Sequence, residues 1–167
     1  MKYIGVDPSL NATGAVLLNG AKIQQPKCIK VKAKTKHGDA IQLEHRFEAI
    51  IHEMKWYFSV GDVLCIEENV LNKKFVNIST LHQAQLIGAI IHHAVTKGLE
   101  VVRVKPKQGK KSLAGIGNAD KTAMVTASRA YVTPTGVDYK DKAIADAIGI
   151  ALAGRTIHEA SKLTTKK

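Results

Sequence analysis

The 167-residue sequence predicts a single α/β domain with a mixed central sheet, on three observations. Short apolar runs with β-branched residues, separated by turn residues, fill the first thirty positions. A helical-period stripe then leads into another apolar strand, as a parallel crossover requires. Small and apolar residues dominate a long helix near the C-terminus.

Lys2 to Asp7 carries Ile4 and Val6 and reads as a short buried strand, ended by Pro8, which cannot donate a ladder hydrogen bond. Asp7 at its tip is either a turn cap ahead of Pro8-Ser9 or a carboxylate held by a cation or partner. Gly14 to Leu18 is a second strand, Asn19-Gly20 a type I′ hairpin signal, and Lys22 to Ile29 a third strand. The opening is therefore an antiparallel meander. Lys30, Lys32, Lys34 and Lys36 share one face if extended, as an edge protected by charge or as phosphate contacts.

From Asp39 to about Tyr57, Leu43, Phe47, Ile50, Ile51 and Met54 form one helical stripe. Val63 to Ile66 is an apolar strand ending in Glu67, and a crossover places it parallel to the first. A polar basic loop over 72–78 contains Lys73, Lys74 and Phe75, and Ser79 or Thr80 is expected to cap a helix to about Lys97. Leu99 to Val104 is a strand closed by Pro106. Between Lys105 and Lys121 lie Lys107, Lys110 and Lys111, broken by Gly109, Gly115 and Gly117. Asp120 suits the cap of a helix to about Tyr131. The last helix is expected from Asp141 to His158, within a domain of residues 1–158, with 159–167 a basic flexible tail.

Charge narrows the function. Lys plus Arg number 25 against 14 Asp plus Glu, a net +11, which suits a polyanion binder, and nucleic acid is the commonest polyanion. No apolar run approaches the roughly 18 residues of a membrane span. Cys28 and Cys65, without metal-type spacing, are expected reduced, as in a cytoplasmic protein.

Asp7 and Glu67 end two apolar strands, and Asp146 lies within Ala143-Ile144-Ala145-Asp146-Ala147-Ile148. An acid on the packed side of such a helix is an unpaired buried charge unless it faces the other two. Three converging carboxylates repel and require a cation, and hard oxygen donors favour Mg²⁺ or Mn²⁺. In a polyanion binder this implies phosphodiester hydrolysis with two metals about 4 Å apart. The bland alternative makes the three a cap, a surface residue and an ion-pair partner.

The layout resembles the RNase H-like nucleases and, within them, the RuvC-type Holliday junction resolvases. Gly5-Val6-Asp7-Pro8-Ser9 and Cys65-Ile66-Glu67-Glu68 look like the family's two strand-end motifs. Ala114-Gly115-Ile116-Gly117-Asn118-Ala119-Asp120-Lys121 is similar to its most particular segment, and Ala145-Asp146-Ala147-Ile148-Gly149-Ile150-Ala151 to its C-terminal helix. The resemblance spans residues 4 to 151. It implies an RNase H-like fold, antiparallel in strands 1–3 with further strands parallel and helices on both faces. It also implies metal-binding Asp7, Glu67 and Asp146, two Mg²⁺ or Mn²⁺ per site, and Lys107 and Lys121 as catalytic cations. The family's fourth ligand falls at Ala143; Asp141, Asp138 and Glu68 are the substitutes, with Asp141 preferred. The family's wedge aromatic falls at Val70, leaving Phe75 to stack on bases or pack under the loop. Lys73, Lys74, Lys110 and Lys111 are candidate DNA contacts. Branched DNA, a four-way junction above all, is the implied partner. A C2 homodimer would match the two cuts, with helix 79–97 as candidate interface. The alternatives are a non-catalytic junction-binding protein and an actin-like or sugar-kinase-type ATPase.

Overall fold

The computed structural model describes residues 1–31, 40–68, 77–131 and 141–164. Three strands come first, β1 (Lys2–Asp7), β2 (Thr13–Asn19) and β3 (Lys22–Ile29), then helices α1 (Ala40–Glu53) and α2 (Lys55–Val60). They are followed by β4 (Val63–Glu67), α3 (Ile78–Thr96), β5 (Glu100–Val104), α4 (Pro106–Ala114), α5 (Lys121–Ser128) and α6 (Lys142–Thr164). The sheet runs β3-β2-β1-β4-β5, with β1–β2 and β2–β3 antiparallel and β4 parallel to both β1 and β5. The predicted meander and crossover are therefore present.

Side chains on a strand alternate between faces, and here both faces are covered. Ile4, Val6, Leu64 and Ile66 pack toward α1, α2 and α3 with Ile50, Met54, Leu86 and Ile90. Tyr3, Val63 and Cys65 face the other way, against Ile144, Ala147, Ile148 and Ala151 of α6. The same alternation sends Asp7 and Glu67 toward α6. That face holds the site.

α6 is the central helix of that layer. Every residue from Ala143 to Gly154 is buried except Asp146, which is only partly so. The helix approaches the sheet at glycines: a Cβ on Gly5 would stand 2.2 Å from the Ala147 carbonyl oxygen, and one on Gly14 2.0 Å from that of Ala143. No residue larger than glycine fits either contact unless the helix moves.

Several boundaries differ from expectation. The hairpin turn is Gly20-Ala21, because Asn19 pairs with Lys22; positive φ falls on Gly20 alone of the two, as in a type II′ loop. The expected single helix breaks at the buried Met54 into α1 and α2. Asn77, rather than Ser79 or Thr80, caps α3, its side chain accepting from the Thr80 N–H at 2.8 Å. The tail expected to be flexible from residue 159 is helical as far as Thr164, where Lys162 Nζ donates to both Glu100 oxygens. The lysine-rich stretch after β5 is a helix, α4, with Pro106 at its first position and the Lys105 N–H donating to Gln108 Oε1 at 2.9 Å. Lys32, Lys34 and Lys36 lie outside the described residues.

Candidate active site

Asp7 and Glu67 are neighbours by register. Val6 pairs with Ile66 in the parallel β1–β4 ladder, so the next residue on each strand is a carboxylate on the same face. Asp146 arrives from α6, in the same turn as the Ala143 carbonyl that abuts Gly14, the antiparallel partner of Asp7. All three line one cleft of about 160 Å³, with Gly109 and Lys110 of α4, Met124 of α5 and Ile150 of α6.

Two lysines face the carboxylates. Lys110 lines the cleft, anchored by a 3.0 Å hydrogen bond from its Nζ to the Ala119 carbonyl oxygen. Lys121 opens α5 behind its cap Asp120, whose Oδ1 accepts from the Ala123 N–H at 2.8 Å.

Burial pushes the Asp7 carboxyl up to about 8, aided by the charges of Glu67 and Asp146 and opposed by Lys121. Glu67 is pushed up to about 7 by burial and Asp146, opposed by Lys110. Asp146 is also raised by burial, with Lys110 and Lys121 opposing. Each lysine therefore has its own quarter, Lys121 near Asp7, Lys110 near Glu67 and both near Asp146.

Such a cleft holds excess negative charge in partly desolvated surroundings, which a cation relieves. The donors are carboxylate oxygens without thiolate or imidazole, suited to a hard divalent ion. Among the described residues no three acidic, histidine or cysteine groups close to the spacing of a three-ligand site. The residues fit the ion by donor type and charge.

Other predicted site residues stand elsewhere. Asp141 caps α6, its Oδ1 accepting from the Ala143 N–H at 3.1 Å and its Oδ2 lying 3.6 Å from Lys30 Nζ. It also helps burial push the Cys28 thiol up to about 11. Asp141 is thus not brought into the cleft: it stands just before α6, with its carboxylate turned to the Ala143 N–H and to Lys30 instead. Glu68 does not line the cleft either; its N–H donates to the Val104 carbonyl oxygen. Lys107 and Lys111 are exposed on α4, and it is Lys110 that lines the cleft with the carboxylates. Asp138, Val70, Lys73, Lys74 and Phe75 lie outside the described residues. From the sequence, Lys110 is a candidate DNA contact and not a residue of the catalytic cluster. Pro106 and Gln108, start signals for α4, were the cue to its position.

A family model, Crossover junction endodeoxyribonuclease RuvC, matches residues 3–154. The chain belongs to the RuvC family. A RuvC of Erythrobacter litoralis is 31% identical over 96% of this chain and 96% of its own, and one of Mycobacterium ulcerans 32% over 91% and 82%. Among solved structures, Thermus thermophilus RuvC in complex with a Holliday junction substrate superposes with a TM-score of 0.72 at 21% identity, covering 96% of each chain. The yeast mitochondrial Holliday junction resolvase gives 0.61 at 14% identity, covering 98% of this chain and 83% of that one. At these identities the two structures speak to the fold, which is that of RuvC and its RNase H-like relatives. The RuvC match takes in Asp7, Glu67, Asp146, Lys110 and Lys121.

Proposed function

We propose that this protein is a structure-selective DNA endonuclease that resolves Holliday junctions and related branched DNA by paired, metal-dependent hydrolysis. One observation carries the reading: three carboxylates from two strand ends and α6 share a cleft with a lysine from α4 and lie under the charge of a second from α5. Two Mg²⁺ or Mn²⁺ ions at Asp7, Glu67 and Asp146 would supply an activated water and stabilise the leaving 3′-oxygen. Lys110 and Lys121 hold fixed positive charge beside the site where the scissile phosphate gathers negative charge, and fixed cations there gain most in the transition state. Met124 and Ile150 give the cleft an apolar wall beside the carboxylates. The net +11 supplies sequence-independent phosphate attraction. Family membership disfavours the ATPase reading, and the charged cleft disfavours a non-catalytic binder. Among the described residues no helix is long and apolar enough to cross a membrane; DNA as substrate favours the cytoplasm.

Incubating wild-type protein with labelled four-way junction, fork and linear duplex, with and without each metal, tests this directly. Paired cuts in the junction are expected with metal only. An uncut junction under every metal condition defeats the proposal. Lys110→Met is expected to lower the cleavage rate about 10²-fold, a loss typical of one charge-stabilising group, with a smaller loss for Lys107→Met. The reverse order in single-turnover assays would restore Lys107 as the cleft cation.

Paired cuts favour a C2 homodimer, and α3 offers a face for it. Its inner side, Leu86, Ile87, Ile90 and Ala94, packs on the sheet. Its outer side leaves Ile78 71%, Leu81 49% and Val95 57% exposed, and a Cβ on Gly88 would meet nothing within 4 Å. A glycine in mid-helix with no neighbour costs about 0.5–1 kcal/mol relative to alanine, and close approach of a second helix explains keeping it. Gly88→Ala is expected to stabilise the isolated subunit by about that amount yet weaken self-association. Sedimentation at graded concentrations checks it; unchanged association puts the interface elsewhere.

A further inference from the structure

A second cavity, of about 330 Å³, opens beside the turn that follows Asp7, between the start of α3 and the side chain of Arg46 from α1. Resting on the nuclease reading above, we propose that this pocket binds one backbone phosphate of the DNA strand that enters the catalytic cleft.

Arg46 is the group that points to a ligand. Its Nη2 donates to the Leu10 carbonyl oxygen and, at 2.9 Å, to Asn11 Oδ1, so the guanidinium is held in place. Its Nε is buried and has no acceptor among the described residues. A guanidinium fixed at a cavity wall is a positive charge in want of a counter-charge, and an anion is the partner it lacks. No carboxylate lines the cavity to neutralise it. Ser9, Asn11, Ser79, His82 and Gln83 bring hydrogen-bonding groups to the same lining, beside the apolar Leu10 and Ile78.

α3 adds to the same effect. The Asn77 side chain takes the Thr80 N–H, but the N–H groups of the first helical residues precede any intrahelical bond and carry the positive end of the helix dipole. With 19 residues behind it, that end favours an anion, and Ser79 stands exposed there.

The pocket is tied to the chemistry. Gln83 Nε2 donates to the Pro8 carbonyl oxygen at 2.9 Å, fastening the first turns of α3 to the residue after Asp7. Ser9 lies two residues from Asp7, within about 7 Å along the chain. A phosphate in the pocket therefore sits near the scissile one on the same strand, and positions that strand without reading its sequence.

The test uses full-length protein, a labelled four-way junction without divalent metal, and binding measured across a salt series. Ser79→Asp places an acid where the helix dipole welcomes it and a phosphate does not. It is expected to leave the unfolding temperature unchanged or raised, weaken junction binding about tenfold, and reduce the salt slope by about one contact. Ser59→Asp, which adds the same charge on α2 at the opposite end of the sheet, is expected to weaken binding less than twofold. Arg46→Gln should also lose about one unit of salt slope, and Arg46→Lys should retain it. Wild-type affinity and slope for Ser79→Asp, or an equal loss from Ser59→Asp, overturns the pocket while leaving the nuclease reading intact. A wild type that neither binds nor cuts a junction overturns that reading, and the pocket with it.

Discussion

Asp7→Asn is expected to reduce junction cleavage by on the order of 10³-fold while junction binding is retained or strengthened. Asparagine keeps the shape of the strand end but removes one charge from a cleft that already holds too many. Asp7 is the most strongly raised of the three carboxylates, and its neighbours Glu67 and Asp146 both contribute to that. Removing it takes away a metal ligand, hence the rate. It also takes away a charge that repels the DNA backbone, hence the binding. Equal loss of binding and cleavage would make Asp7 a folding residue instead.

The same substitution has a signature in stability that does not depend on catalysis. The folded, metal-free protein holds the Asp7 proton up to about pH 8, whereas the unfolded chain releases it near the ordinary 3.8. The stability linked to this proton is therefore full below about pH 4 and is lost as pH rises through about 8. Glu67, raised to about 7, acts with the same sign. Wild type without metal should unfold at progressively lower temperature between pH 5 and 8. Asp7→Asn should fall less and exceed wild type at pH 8 by about 2 kcal/mol, or about 4–8 °C in a chain of this size. Mg²⁺ added at pH 8 should raise the wild-type unfolding temperature, since an ion bound only by the native state stabilises it, and should raise the variant's much less. Parallel curves for the two proteins in calorimetry would show that Asp7 carries no excess charge when folded.

The carboxylates were legible in sequence because buried strands declare themselves. Ile4, Val6 and Val63 to Ile66 leave little doubt about β1 and β4, and a crossover between them demands parallel pairing. Once both are parallel, period two puts Asp7 and Glu67 on one face. Asp146 was legible because nothing else in its stretch of α6 is charged. The cleft's lysine was harder. α4 buries only Gly109 and Leu113, so it shows no apolar stripe, and its lysines look like loop charge until Pro106 is read as a helix start. A loop treats Lys107 and Lys110 alike; a helix turns one to solvent and the other to the acids. Asp141 misled for a related reason. It is the acid beside Ala143, where the resemblance puts a fourth ligand, but a residue just before a helix is better placed to cap it, and Lys30 and Cys28 take up its remaining capacity. The hairpin shifted by one residue because strand pairing, not the Asn-Gly signal, decides which two residues form the loop.

Gly14→Ala should be the most damaging single methyl group in this fold. Its Cβ would lie 2.0 Å from the Ala143 carbonyl oxygen and 2.5 Å from the carbonyl carbon, both backbone atoms of α6 that no rotamer change can clear. Either β2 or the first turn of α6 must retreat, and overpacking against backbone costs about 3 kcal/mol, or about 6–12 °C. Gly88→Ala, with open space around it, is the opposite case and serves as the control. Ala143→Gly should not rescue Gly14→Ala, because the clash is with the peptide oxygen and not the Ala143 methyl. The functional loss should exceed the loss of folded protein. Gly14 is the ladder partner of Asp7, and Asp146 lies one turn beyond Ala143, so a retreat of the helix separates two carboxylates of the cleft. Cleavage measured well below the variant's unfolding temperature, where the chain is folded, should still be down about 10²-fold, the scale on which an ångström of misplacement acts. A variant folded at the wild-type temperature would mean that α6 is not seated on β2 through this glycine, and normal cleavage would mean that its seating does not place Asp146.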